Sequence, residues 1–333
     1  MVSQDSINQL ITLSREYNKE CYFEGDPIIF PKHFALLMQG KPGLFCSTTQ
    51  SNPSIVHIDK ESSAANTTSN DITTLTASIT TTGSITVGDS TTACNSITAC
   101  DTTTTSDNDA MPTYIPTLKD VEIAGIIAAH LAWGRRDMII RDCKRAFDEM
   151  CWQPYNYVMA GKYKDDDVSL HRTIKWSEFA QICTNLKEFY SNNSTLESLD
   201  ADQIRVQIYS QKSNPKAANK KIHMFRRWMV RNDGVVDLGL WKNSTPAQLV
   251  IPLDVHVHRT AINLGITSRK GADITTAQEI TDFLKTIFPE DPCKGDFALF
   301  AYAATKLKEQ EIANKGKQSA KAKSNGNIKE SNI

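Results

Sequence analysis

The sequence predicts an all-α protein that is interrupted by one long disordered insertion. Apolar residues make up 40% of the 333 residues, which is enough for a sizeable core. Over much of the chain they recur every three or four residues, as in amphipathic helices, whereas strand-like alternation is rare and short. Residues 47–113 lack this pattern and are dominated by Thr and Ser. The composition therefore favours helices around a break in the fold.

The segment 47–113 is predicted to be disordered. It contains no Phe, Trp or Tyr, so it cannot bury enough apolar surface to offset an ordering entropy of roughly 1–2 kcal/mol per residue. It holds seven acidic residues and one basic residue. Since the whole chain has a net charge of −1, the remainder carries +5, which suits a polyanionic partner. A second disordered piece is expected at 313–333, which is rich in Lys. The folded domain is thus expected to comprise 1–46 and 114–312.

Periodic apolar positions and capping residues predict eight helices. Gly134 and Gly265 are expected to end two of them, because glycine readily takes the conformation that closes a helix. Ser177 is expected to cap a third helix, and Thr276 with Glu279 to form a capping box at the start of another. The predicted helices are 120–133, 137–151, 178–190, 196–209, 219–231, 254–264, 276–288 and 294–311.

Cysteine usage and hydropathy favour a cytoplasmic protein. The eight cysteines include no C-x2-C pair, so neither a zinc ribbon nor a dense disulfide framework is encoded. No run of about 18 apolar residues is present, and the N-terminus lacks the basic and apolar pattern of a signal peptide. No membrane association is expected.

The sharpest local motif is the run Leu-Val-Ile-Pro-Leu-Asp-Val-His-Val-His-Arg at 249–259. Asp254 follows a buried apolar run and precedes a predicted helix, so it is expected to be the N-cap of that helix. An alternative is a metal-dependent hydrolase in which Asp254, His256 and His258 are ligands. Two histidines two residues apart on a helix point to different faces, which weighs against this alternative.

The same motif resembles a segment of the helix-hairpin-helix DNA glycosylase superfamily, which includes endonuclease III, the adenine glycosylase MutY and archaeal oxoguanine glycosylases. Two further segments resemble that superfamily in the same order, namely 122–136 (EIAGIIAAHLAWGRR) and 296–302 (DFALFAY). With 224–231 (MFRRWMVR) and 237–242 (DLGLWK), the folded chain as a whole resembles an uncharacterised bacterial family distantly related to these glycosylases. The resemblance implies two helical subdomains with a cleft between them.

The resemblance also implies a chemistry, the removal of a damaged base from DNA. Asp254 would be the catalytic carboxylate that stabilises positive charge on the sugar, and a lysine or a water molecule would be the nucleophile. Lys220 and Lys221 are the candidate lysines, and Lys220 is preferred because of its spacing from Asp254. DNA is the implied partner, and a monomer is expected. A non-catalytic nucleic-acid- or protein-binding member of the same fold is the alternative.

DNA contacts are expected from basic residues on the same elements, since cations bind phosphates. The residues are Arg135 and Arg136 in a turn that would probe the DNA, and Arg226, Arg227, Arg231, His256 and Arg259. The chain departs from the superfamily in two ways. Residues 232–239 stand where a phosphate-binding hairpin would be, and Cys293 alone follows Asp254, so no iron–sulfur cluster and no other cofactor is expected.

Overall fold

The computed structural model describes residues 2–19, 21, 23, 25–45 and 114–302, and in these residues the chain is mainly α-helical. The all-α prediction is confirmed at this level. The segments 47–113 and 313–333, both predicted to be disordered, and the end of the last predicted helix lie outside the described residues. Described residues from both sides of the 47–113 segment contribute to one hydrophobic core.

The described chain contains eleven α-helical segments and one short hairpin. The strands β1 (Ser169–His171) and β2 (Ile174–Lys175) pair antiparallel between α5 and α6. The last helix, α11, covers residues 293–302 as far as the structure describes it. The other helices are α1 (Gln4–Glu16), α2 (Ile29–Met38), α3 (Leu118–Leu131), α4 (Arg136–Glu149), α5 (Pro154–Ala160), α6 (Trp176–Asn192), α7 (Ala201–Gln203), α8 (Lys220–Val230), α9 (Val255–Asn263) and α10 (Ile274–Ile287).

Three details of the helix prediction were wrong. The range predicted as one helix, 196–209, is a 3-10 turn at Leu196–Ser198, the short α7 and a π-helical turn at Ile204–Ile208. Helix α10 is capped by Asp273, whose side chain accepts the N–H of Thr276, so Thr276 lies inside the first turn. Helix α6 likewise begins at Trp176, which places Ser177 inside the helix. In the last two cases a polar residue inside the first turn was mistaken for the cap of the helix.

Helix α3 is the central element of the core. Of its fourteen residues, twelve are buried, because apolar side chains surround the whole helix. Its start is fixed by Asp120, which accepts the Thr117 N–H at 2.8 Å and the Tyr155 N–H at 2.8 Å. Near its middle Gly125 lets α8 approach, since a Cβ there would lie 2.6 Å from the Phe225 ring. The contact between α3 and α8 holds in place the helix that carries the two candidate lysines.

Glu122 connects α3 to three other parts of the chain from a fully buried position. Its carboxylate accepts hydrogen bonds from Tyr190 Oη at 2.8 Å, Trp241 Nε1 at 2.7 Å and the Leu196 backbone N–H at 3.1 Å. Burial raises its pKa, although these hydrogen bonds favour the ionised form. The donors explain how a carboxylate is tolerated in the centre of the core.

No helix within the described ranges combines the length and the apolar character that crossing a lipid bilayer requires.

Candidate functional site

Asp254 stands at the start of α9, where the sequence predicts it. Its backbone is extended (φ −109°, ψ 176°), and its Oδ1 accepts the N–H groups of His256 and Val257, both at 2.8 Å. The preceding residues Ile251 and Leu253 are buried, so the chain enters the helix from a fixed direction. The N-cap prediction is confirmed. Oδ2 has no hydrogen-bond partner among the described residues, and the side chain is half-buried.

Two cavities adjoin this carboxyl group. The larger has a volume of about 540 Å³ and the smaller about 340 Å³, both in the range of roughly 300–1,000 Å³ that is usual for ligand sites. The residues that line both cavities are Ala132, Trp133, Gly134, Lys220, Asp254 and His256. The structure therefore brings the candidate carboxylate and a candidate lysine to one place, although their helices are separated by more than twenty residues of chain.

Lys220 and Lys221 begin α8, and the two ammonium groups differ in environment. Lys221 Nζ donates a hydrogen bond to the His130 carbonyl at 2.5 Å and lies 5.8 Å from the centre of the Trp133 ring. The pKa of Lys221 is lowered to about 8, because burial outweighs the opposing charge of Glu178 and the charge of Lys220 acts in the same direction as burial. Lys221 therefore holds a larger neutral fraction near neutral pH than an exposed lysine.

The wall of the larger cavity behind Lys221 is formed by His130. Its Nε2 lies 2.8 Å from Glu178 Oε1, and its ring stacks on Tyr209 with 4.8 Å between centroids. Burial lowers the pKa of His130, while the hydrogen bond to His130 lowers the pKa of Glu178. These contacts fix the carbonyl group to which Lys221 is bound.

Positive charge prevails in the larger cavity. Arg205, Lys220 and Lys221 line it, and Asp254 is the one carboxylate among its lining residues in the described chain. Arg205 is held by hydrogen bonds to the Lys212 carbonyl at 2.9 Å and to Asn219 Oδ1 at 3.1 Å. Clustered cations in a concave site attract anions such as phosphate groups.

The turn between α3 and α4 forms the rim shared by both cavities. Gly134 has φ +100°, which glycine adopts without strain, and the Trp133 ring is covered by the Arg172 guanidinium at 4.1 Å. His171 bridges the turn and α4. Its Nε2 lies 2.9 Å from the Trp133 carbonyl, and its Nδ1 lies 2.8 Å from Asp142 Oδ2. The turn is therefore attached to α4 and to β1.

Four of the predicted DNA-contacting residues lie at the surface. Arg135 is exposed and pairs with Asp137 at 2.7 Å, while the exposed Arg136 lines the smaller cavity. His256 is exposed and lines both cavities. Arg259 is exposed one turn further along α9. Arg136 and His256 therefore line the cavities, whereas Arg135 and Arg259 are exposed on the same elements without lining either cavity.

The other three predicted DNA-contacting arginines are buried to different degrees. Arg227 and Arg231 are 7% and 1% exposed, and Arg231 is bound by the carboxylates of Asp233, Asp237 and Asp291 at 2.7–2.8 Å. The Arg231 guanidinium therefore has no surface to offer a phosphate, and its predicted DNA contact requires correction. Arg227 lines the smaller cavity, and Arg226 is half-buried and donates to the Leu199 carbonyl.

Asp296 is a site residue that the sequence did not predict. It is buried on α11, its Oδ2 accepts a hydrogen bond from Arg227 Nη1 at 3.1 Å, and it lines the smaller cavity with Asp254. In the sequence it stood out only as the first residue of a segment that carries the family resemblance. A charged residue in an otherwise apolar helical segment was the signal that could have identified it.

The metal-site alternative is not supported by the geometry. His258 is buried and its Nε2 lies 2.9 Å from the Arg269 carbonyl, whereas His256 is exposed at the cavities. The side chains of Asp254, His256 and His258 therefore do not converge on one point. Throughout the described part of the chain, no group of three or more His, Cys, Asp or Glu side chains is placed to hold a metal ion.

One family model matches the chain, and its description is "Protein of unknown function (DUF2400)". It matches residues 109–211 and 200–305, which overlap and together span more than half of the sequence. The matched residues include Lys220, Lys221, Asp254 and Asp296. No curated protein and no solved structure matches the chain.

Proposed function

The chain belongs to the DUF2400 family of proteins of unknown function, and we propose that it is a DNA glycosylase-like enzyme of base-excision repair. In this proposal the helices form two subdomains of the helix-hairpin-helix glycosylase type, and the cavities at Asp254 lie in the cleft between them. The protein acts as a monomer on DNA and removes a damaged base that has been turned out of the duplex.

One observation carries the proposal: Asp254 caps α9 and opens onto two cavities that it shares with Lys220. Two backbone N–H groups bind its Oδ1 and fix the orientation of the carboxyl group. Its Oδ2 is left to face the substrate. The structural role and the chemical role therefore fall to different oxygen atoms of one side chain.

Cleavage of an N-glycosidic bond creates positive charge on the sugar, and a fixed carboxylate nearby stabilises that charge. In the proposed reaction Asp254 supplies this stabilisation. The nucleophile is a neutral amine, which attacks C1′ as the base departs. Of the two lysines, Lys221 is the better nucleophile because burial lowers the pKa of its ammonium group to about 8. Lys220 lies at the junction of both cavities and supplies positive charge.

The arrangement of cations supports DNA as the substrate. The larger cavity contains Arg205 and Lys220, which can bind a phosphate beside the extruded nucleotide. The exposed side chains of Arg135, Arg136 and Arg259 lie on the elements around the cavities and can bind the neighbouring backbone. The affinity for duplex DNA should therefore fall steeply as the salt concentration rises.

The test is base release from a panel of duplexes that each carry one damaged or mismatched base. The wild-type protein should release a base from at least one duplex, and Asp254→Asn should lower the rate at least 10²-fold while DNA affinity is retained. The matched control is Asp273→Asn, because Asp273 also caps a helix with its side chain but does not line either cavity. Equal losses in both variants would contradict a catalytic role for Asp254.

Borohydride trapping tests the amine. A covalent adduct on a cleaved duplex should form in the wild-type protein and in the exposed-lysine control Lys144→Ala, and it should be lost in Lys221→Ala. Loss of the adduct in Lys220→Ala but not in Lys221→Ala would identify Lys220 as the nucleophile. Base release without any adduct would leave water as the nucleophile. Binding of DNA with no base release from any duplex would favour the alternative, a non-catalytic binding protein.

A further inference from the structure

The smaller cavity contains a buried carboxyl group, that of Asp296, which the proposed reaction does not use. Asp296 is 6% exposed and lines this cavity together with Asp254. Its Oδ2 is bound by Arg227 Nη1 at 3.1 Å, and Arg227 is in turn held by Asp237, whose Oδ1 lies 3.4 Å from Arg227 Nε. Asp296 is therefore fixed from the protein side and faces the cavity from the other side.

The environment of Asp296 raises the pKa of its carboxyl group to about 6. Burial is the main cause and outweighs the charge of Arg227, while the charge of Asp254 acts with burial and that of Lys220 acts against it. The other charged or titratable groups around it are Asp26, Arg136 and His256 on the cavity wall and the buried thiol of Cys293. Asp296 therefore holds a proton at higher pH than an ordinary aspartate, as a general acid must.

The same cavity has walls that suit a nucleobase. Trp133, Phe297 and Phe300 line it with aromatic side chains, and Phe300 is 42% exposed. Aromatic side chains stack on bases of any sequence. A base in this cavity would lie beside Asp296. Its sugar would lie at Asp254, which lines both this cavity and the larger one.

We propose that Asp296 is the general acid of this site and gives its proton to the base as the base leaves the sugar. The inference rests on the proposed glycosylase function and adds a residue to it. As the C1′–N bond breaks, its electron pair moves to the base, and the base nitrogen takes the proton from the Asp296 carboxyl group. The lone pair of the Lys221 amine forms the new bond to C1′. Asp296 ends as a carboxylate beside Arg227, and its new negative charge balances the positive charge that the Lys221 nitrogen gains when it bonds to C1′.

The two ionisations predict an unusual dependence of the single-turnover rate on pH. The neutral fraction of Lys221 rises about tenfold per pH unit up to its pKa, while the protonated fraction of Asp296 falls about tenfold per unit above its own. The two factors cancel between about pH 6 and pH 8, so the wild-type rate should be level there. It should fall at lower and at higher pH.

The experiment measures this profile on a duplex from which the wild-type protein releases a base. Asp296→Asn should lower the rate at pH 6 about 10²-fold. The rate of this variant should then rise about tenfold per pH unit up to pH 8, because the protonated fraction of Asp296 no longer enters the rate. Asp296→Glu should restore the level interval. A profile of Asp296→Asn that runs parallel to the wild-type profile would overturn the inference.

Asp237→Asn is the matched control. Asp237 is as buried as Asp296 and pairs with the same Arg227, but it does not line the cavity. A merely structural role of Asp296 would give the two variants the same profile. We expect Asp237→Asn to lose stability but to keep the level interval.

A second measurement separates this inference from the proposed function. Carbon-13 spectra of the free protein with labelled aspartate should contain a carboxyl signal that titrates near pH 6 and disappears in Asp296→Asn. A midpoint near 4 would refute a proton-holding Asp296 whether or not the protein cleaves DNA. If the signal titrates near 6 but no duplex loses a base, the glycosylase proposal fails, and the role as acid fails with it.

Discussion

Asp254 combines a structural and a proposed chemical task in one side chain, and substitutions can separate them. Asp254→Ala removes both hydrogen bonds to the first turn of α9 and should lower the free energy of unfolding by about 1 kcal/mol. Asp254→Asn keeps a cap and should cost a few tenths of that. Urea denaturation measures both. Equal destabilisation by the two substitutions would show that the charge, rather than the cap, stabilises the helix.

The amine of Lys221 should react with electrophiles at a lower pH than other lysines. Its pKa is lowered to about 8 by burial, so half of it is neutral at that pH, whereas an exposed lysine reaches this point near pH 10.4. Labelling rates measured by peptide mass spectrometry between pH 6 and 10 give the midpoint. Lys144, which is exposed on α4, is the internal reference. The same midpoint for both lysines would remove the main reason to prefer Lys221 over Lys220.

At the level of elements, the contact between α3 and α8 depends on the lack of a side chain at Gly125. Gly125→Ala should destabilise the protein by about 1–3 kcal/mol, because its Cβ would lie 2.6 Å from the Phe225 ring. Phe225→Leu makes room and should recover part of the loss in the double variant. A double-mutant cycle from denaturation curves measures this coupling. Additive losses would mean that the two residues do not interact.

Elements with a complete local signal were predictable from the sequence. Helices α3, α8 and α9 begin and end within a few residues of the predicted bounds, because apolar periodicity and capping residues agree there. The sequence analysis did not predict α1, α2, α5 or the hairpin of β1 and β2. Short elements such as α5 and the hairpin carry too few periodic positions, and they are held by tertiary contacts rather than by local preference.

The same distinction applies to the site. Asp254 could be found because its role as a cap is local and its motif is distinctive. The burial of Arg231 could not be predicted from the sequence, because its partner Asp291 lies sixty residues further along the chain. The lowered pKa of Lys221 likewise depends on the surroundings that α3 and α6 provide, and no pattern within α8 encodes it. Long-range burial decides which charged side chains meet solvent.

For the whole molecule, the segment 47–113 should be dispensable for folding. Replacement of this segment by a flexible Gly/Ser linker should leave the thermal unfolding midpoint within a few degrees of the wild-type value, since its Thr/Ser-rich composition gives it little apolar surface to bury. Calorimetry on both proteins makes the comparison. The shortened protein also loses a net charge of −6, so it should bind duplex DNA more tightly at low salt. A large drop in the midpoint would contradict the predicted disorder.

The buried arginines also restrict how this molecule can diverge. Arg227 and Arg231 share Asp237; Arg227 also binds Asp296, and Arg231 also binds Asp233 and Asp291, so each guanidinium is surrounded by carboxyl groups rather than by solvent. Loss of either guanidinium would leave at least one of these carboxyl groups without its ion-pair partner in the interior. Single substitutions at these positions should therefore be poorly tolerated. Related chains should either keep the set intact or exchange several members at once for apolar side chains, and intermediate combinations should be rare among functional relatives.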